Sequence, residues 1–193
     1  MSADVFWIFL SAMLVNNFTL FYFLGLCPFL GVSGRVATAV RMGAADVFVL
    51  VVTSVITWVL NRFVLPHAPY LTLISFIVVI ASTVQVVEMV VRKFSPTLFR
   101  ELGQFLPLIT TNCAILYLAI FQTNRGYDFF EGLAFALGAG AGLTLALVLM
   151  ASIREQVDLN DIPEVARGSA LIFLIAGFLS LAFMGFAGLL SGA

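Results

Sequence analysis

The chain has 193 residues, of which 62% are hydrophobic and 10% charged, and its formal net charge at pH 7 is -1. So apolar a composition excludes an ordinary soluble domain and marks a polytopic membrane protein. The small net charge implies neither nucleic acid nor an acidic substrate, because the few charges fall at the ends of apolar segments.

No positively charged stretch precedes the first apolar run, and that run is too long for the core of a signal peptide, so no cleavable signal is expected. Six spans of about 20 residues each follow from the hydrocarbon thickness and the helix rise. They are Val5–Leu26, Val40–Leu60, Leu71–Val91, Leu102–Phe121, Phe129–Ala151 and Ser169–Leu190. From Val5 to Val40 the only charge is Arg35, and an unbroken helix of that length would reach about 50 Å, well past one bilayer. A break at Gly25–Pro28 resolves this, with Gly25 weakening the helix and Pro28 freeing the carbonyl of Leu24. Span four carries a similar defect in FLPLITTNCAIL, where Pro107 frees the carbonyl of Gly103.

Lysine and arginine set the orientation. Loops one, three and five hold Arg35, Arg41, Arg92, Lys93, Arg100, Arg154 and Arg167, whereas loops two and four hold Arg62 and Arg125. The odd loops are therefore expected on the cytoplasmic side and both termini outside. Loop five, Arg154 to Arg167, is the longest polar stretch, and its four carboxylates make it a candidate docking surface. The expected fold is all-α and integral to the membrane: one domain over 1–193, built as two inverted three-helix repeats of about 1–97 and 98–193, with broken helices one and four. Three spans is an odd number, so the second repeat is inverted, and paired interrupted segments in inverted halves point to a site near the bilayer midplane.

The chain's two cysteines, Cys27 and Cys113, each lie at one of these defects. A lone intramembrane cysteine is commonly a small buried hydrophobe. Two at matching breaks favour metal ligation, since coordination neutralises a thiolate that hydrocarbon would otherwise penalise. An iron–sulfur cluster of the 2Fe–2S type takes four cysteines, so this chain can hold only half a site, and a second copy or a related chain must supply the rest. A helix restarting after either proline aims free amides and positive dipole at an anion. Thr110 and Thr111 either mend the break by bonding back to Leu106 and Pro107 or serve as small packing residues. A Cys27–Cys113 disulfide is a further alternative.

Other polar residues inside the spans are few. Asn16 and Asn17 read as interhelical glue. Glu88 reads either as an interfacial partner of Arg92 or as part of ion handling, and Asp46 lies near the start of span two with no role assigned. Gln85 and Gln104 also stand out, and His67, beside Pro66 and Pro69, reads as a loop residue. The GAGAG run, Gly138–Gly142, lacks the Lys-Ser or Lys-Thr of a phosphate loop and reads as close helix packing.

LGLCPFLGVS around Cys27, VVEMVVRKFSP from Val86, FLPLITTNCAIL around Cys113, SIRE from Ser152 and LAFMGFAGL near the C-terminus together resemble the A-subunit family of the Rnf electron-transport complexes. That family is closely similar to the E subunit of the sodium-translocating NADH:quinone oxidoreductase. The resemblance spans essentially the whole chain and implies a subunit of an ion-translocating ferredoxin:NAD oxidoreductase of the bacterial inner membrane, with no catalysis of its own. It implies a partner of opposite topology, the homologous E-type subunit, and a 2Fe–2S cluster held half by Cys27 and Cys113 and half by that partner. It further implies B, C, D and G subunits, and electrons passing between cytoplasmic iron–sulfur proteins and a flavin held outside. The rival expectations are a solute or ion transporter working by alternating access, and a structural scaffold for flavin subunits.

Overall fold

The structure is a computed structural model, and it describes residues 2–15, 17–32, 34–63, 72–94, 109, 112–158 and 169–187. All regular elements among these residues are helices. In lipid every backbone polar group must find a partner within the chain, and a helix does this segment by segment.

Span one is a series of short pieces. Helix α1, Ser2–Leu10, runs into a π-helical stretch, Ser11–Val15, and a second helix, α2, covers only Phe18–Phe21. Asn17 caps α2, its side-chain oxygen accepting the amides of Thr19 and Leu20 at 3.1 and 3.4 Å. The chain then reverses through two positive φ angles, 54° at Phe23 and 80° at Gly25. Helix α3, Leu26–Val32, starts directly afterwards. The break therefore falls just ahead of Pro28. That proline is the third residue of α3, in the first turn, where a missing N–H leaves no helical bond unmade. It opens the new helix rather than kinking an old one.

Span two is one helix, α4, Val36–Phe63, and span three is α5, Thr72–Phe94. Helix α6, Cys113–Arg125, runs past the expected end of span four and stops at Gly126, whose φ of 64° gives a left-handed cap. Helix α7 is the longest, Phe129–Asp158, so the chain stays helical beyond Arg154, where loop five was expected to begin. Helix α8 covers Ser169–Ala187. By length and composition Val36–Phe63, Thr72–Met89 and Phe129–Val157 can each cross a membrane.

Helices α4 and α7 form the centre, and small residues let them close. A Cβ on Gly140 would lie 3.0 Å from the Cα of Val47, and one on Gly43 would collide with Thr144. As the number rises on α4 it falls on α7, so the pair is antiparallel. The other glycines of the run face α1 and the stretch after it: Gly138 lies against the carbonyl of Phe9 and Gly142 against that of Met13, so these segments run parallel to α7. Close packing is thus what the GAGAG run does. Helix α6 lies parallel to α4, joined at Asn112 to Asp46 and at Gln122 to Ser54. Alternating spans require these directions of segments one, two, four and five. Much of α5 and α8 presents apolar side chains outward, among them Ile74, Val78, Met89, Phe173, Leu174 and Phe178, as a surface solvated by lipid tails should.

Candidate functional site

The two cysteine-bearing segments meet. The backbone N–H of Gly25, in the reversal before α3, donates to the Sγ of Cys113 at 3.0 Å. Cys27 lies two residues further along. Both cysteines are free thiols and both are exposed at the surface of this chain. Cys113 is the first residue of α6 and Cys27 the second of α3.

Each segment is held by a buried asparagine. Asn112 caps α6, its Oδ1 accepting the amide of Ala114 at 3.1 Å, while its Nδ2 donates to Oδ1 of Asp46 on α4 at 3.4 Å. Asn17 plays the corresponding part ahead of Gly25. Besides capping α2, it donates through Nδ2 to the carbonyl of Gly142 on α7 at 2.9 Å and to that of Met13 at 3.3 Å. Asn17 is therefore interhelical glue, as expected, and a helix cap as well. A cap costs about 1 kcal/mol to remove from a helix, and each of these also ties its helix start to a central helix.

Aromatic rings flank the junction. Tyr117, one turn along α6 from Cys113, packs edge-on against Phe18 at 4.7 Å between centroids and tilted against Tyr22 at 5.3 Å. Phe18 also meets Phe135 of α7 at 5.5 Å, and Phe135 stacks on Phe121 at 5.0 Å. These rings tie α2 and the stretch after it to α6 and α7.

Asp46 is not at a span end, as its place in the sequence suggested. It lies in the eleventh position of α4 and is fully buried. Further along α4, Ser54 donates to Oε1 of Gln122 at 2.9 Å, and Gln122 Nε2 donates to the Ser54 carbonyl at 3.4 Å. This reciprocal pair, and the capping role of Asn112, were not foreseen, although an asparagine directly before an apolar helix is a recognised start signal. Glu88 is half-buried and Gln85 exposed on α5, away from the cysteines in sequence and element. Asn16, His67, Gln104, Pro107, Thr110 and Thr111 lie outside the described residues.

A family model described as "Rnf-Nqr subunit, membrane protein" matches residues 5–190. Three relatives are named as the A subunit of an ion-translocating oxidoreductase complex. The protein from Syntrophotalea carbinolica is 56% identical, covering 96% of this chain and 97% of its own. That from Serratia proteamaculans is 52% identical over 94% and 95%, and that from Photorhabdus laumondii 50% identical over 96% and 97%. Similarity at this level and of this extent, over a helical chain with several membrane-length apolar segments, leaves one conclusion: the chain belongs to the Rnf-Nqr family of membrane-protein subunits.

Proposed function

We propose that the chain is the A-type member of an Rnf complex, an ion-translocating ferredoxin:NAD oxidoreductase, and that Cys27 and Cys113 supply two of the four thiolate ligands of a 2Fe–2S cluster inside the membrane. The other two would come from a homologous E-type subunit of opposite topology, and B, C, D and G subunits complete the assembly. In this reading the six spans form two inverted three-helix repeats in the inner membrane with both termini outside.

The observation that carries the reading is the bond from Gly25 to Cys113 Sγ. It joins the two cysteine-bearing segments, and an amide aimed at sulfur is the contact a metal-bound thiolate takes; a hydrogen bond to a charged group contributes about 1.5–3 kcal/mol. The donor set also fits half a cluster. Both thiols are free and open to a partner, and the described residues contain no group of three or more metal-ligating side chains that could complete a site within this chain. Cys27 and Cys113 are the residues of this chain that would hold the cluster, which would supply one-electron redox chemistry there. This chain's residues do the holding. Asn112 and Asn17 fix the two segments, and the N-terminus of α6 favours negative charge at Cys113.

The test is Cys27→Ser and Cys113→Ser in the assembled complex, followed by EPR and by iron and labile-sulfide content. Each variant should lose the 2Fe–2S signal of this site and two irons per complex. An undiminished spectrum in either would remove that residue from the ligand set.

A further inference from the structure

Among the described residues four buried side-chain oxygens have no hydrogen-bond partner: Oδ2 of Asp46, Oγ1 of Thr53, Oγ1 of Thr57 and Oγ1 of Thr19. Three of the four lie on α4, at positions i, i+7 and i+11. At 100° per residue these fall within about 40° of one another around the helix, and along it they cover about 16 Å. All three residues are at most 1% exposed. The hydrogen bond from Asn112 to Asp46 places the start of this stripe beside α6, and the bond from Ser54 to Gln122 marks its flank.

The orphan hydroxyls are not a habit of this membrane fold. Ser82, Thr83, Thr123 and Thr144 each donate to the carbonyl four residues back at 2.8 Å. That bond is open to any helical threonine, yet Thr53 and Thr57 do not take it. Their oxygens share a face with a carboxylate that has one donor on Oδ1 and none on Oδ2. An ionised carboxylate in such a place needs a compensating positive charge. Hydroxyl oxygens with free lone pairs, spaced along one face, are what a cation or a proton-carrying water would next meet.

We propose that Asp46, Thr53 and Thr57 line a file that binds a monovalent cation, sodium or a proton, with Asp46 as its anionic seat and the two threonines as neutral oxygen ligands. The file runs along α4 from the level of Asn112 toward Phe63. The Ser54–Gln122 pair, each satisfying the other, closes one flank. The proposal rests on the reading of the chain as part of an ion-moving complex, and not on the assignment of the cysteines.

The test compares wild type, Asp46→Asn and Thr53→Val/Thr57→Val in the whole complex reconstituted into vesicles and driven by reduced ferredoxin and NAD. Uptake of 22Na+ and quenching of a pH-sensitive dye are each expressed per electron transferred, and iron content is measured on the same preparations. Ions moved per electron should fall at least fivefold in Asp46→Asn and at least threefold in the threonine pair, with iron retained. A fall in sodium uptake names sodium as the cation; a fall in dye response with no sodium requirement names the proton. Valine matches threonine in shape, so the double variant carries the test even if Asp46→Asn fails to assemble. Unchanged ion movement per electron in the threonine pair, with equal or higher thermal stability, would overturn the proposal, since removing a hydroxyl that holds nothing relieves an unmet hydrogen bond. Wild-type vesicles that move neither ion would instead overturn the functional reading, and the file with it.

Discussion

The amide of Gly25 and the sulfur of Cys113 are 88 residues apart in sequence and 3.0 Å apart in space. Gly25 reaches the sulfur because the chain reverses there with φ at 80°. A side chain in that left-handed region costs about 1–2 kcal/mol, and a Cβ would also press on Asn112 Oδ1 at 3.3 Å. Gly25→Ala should therefore lower the melting temperature of the purified protein by several degrees and, in the complex, reduce iron content at the cysteine site by half or more. Gly126→Ala is the control. Its φ of 64° imposes the same strain, but nothing lies within 4 Å, so stability should fall while iron is kept.

Asn112→Ala removes the cap of α6, at about 1 kcal/mol, and leaves the buried Asp46 with neither oxygen bonded, at about 1–3 kcal/mol more. Asn112→Ser keeps a cap acceptor without reaching Asp46, so it should recover only the cap share. Thermal unfolding of the two variants in detergent measures the split; wild-type stability in Asn112→Ser would mean that the Asp46 bond contributes nothing.

The glycines of α7 differ in what they face. A Cβ at Gly138 would lie 2.5 Å from the Phe9 carbonyl, and one at Gly142 would lie 2.7 Å from that of Met13, so the neighbouring backbone must move. Gly138→Ala and Gly142→Ala should each destabilise by about 1–3 kcal/mol. Gly185→Ala on α8 meets nothing within 4 Å and should instead gain up to about 1 kcal/mol from helix propensity. Denaturation of the isolated protein in detergent checks all three.

Both cysteines are exposed on this chain alone. The purified protein in detergent should thus be labelled by a maleimide at Cys27 and at Cys113, counted by peptide mass. In the assembled complex the partner would cover both, and labelling should drop at least tenfold.

Much of this was open to a reading of the residues in order. Hydropathy placed the long apolar segments within four residues of α4 and α5 and found the start of α7, though not its end, because length and apolarity are local properties tied to the bilayer. The Gly25–Pro28 stretch announced a break in span one, since glycine and proline act on their own backbone. The position of the break was another matter. Pro28 by itself fits a kinked helix or a helix start equally well, and the choice went to a start because Phe23 and Gly25 turn the chain first. The GAGAG run declared small side chains, and small side chains between helices let backbones close.

Other features needed the fold. Asp46, eleven residues into α4, reads in sequence as a residue near a span end; its burial follows from α6 lying beside it with Asn112 in reach. Thr53, Ser54 and Thr57 look alike as letters, yet Ser54 is satisfied by Gln122 while the two threonines carry unpartnered oxygens. What the sequence determined alone was the apolar surroundings of the chain, the approximate places of its long helices, the break in span one, and the positions of its two cysteines. Only tertiary structure decided which segments touch, because a hydrogen bond such as Gly25 to Cys113 depends on a register between distant helices that no local pattern encodes.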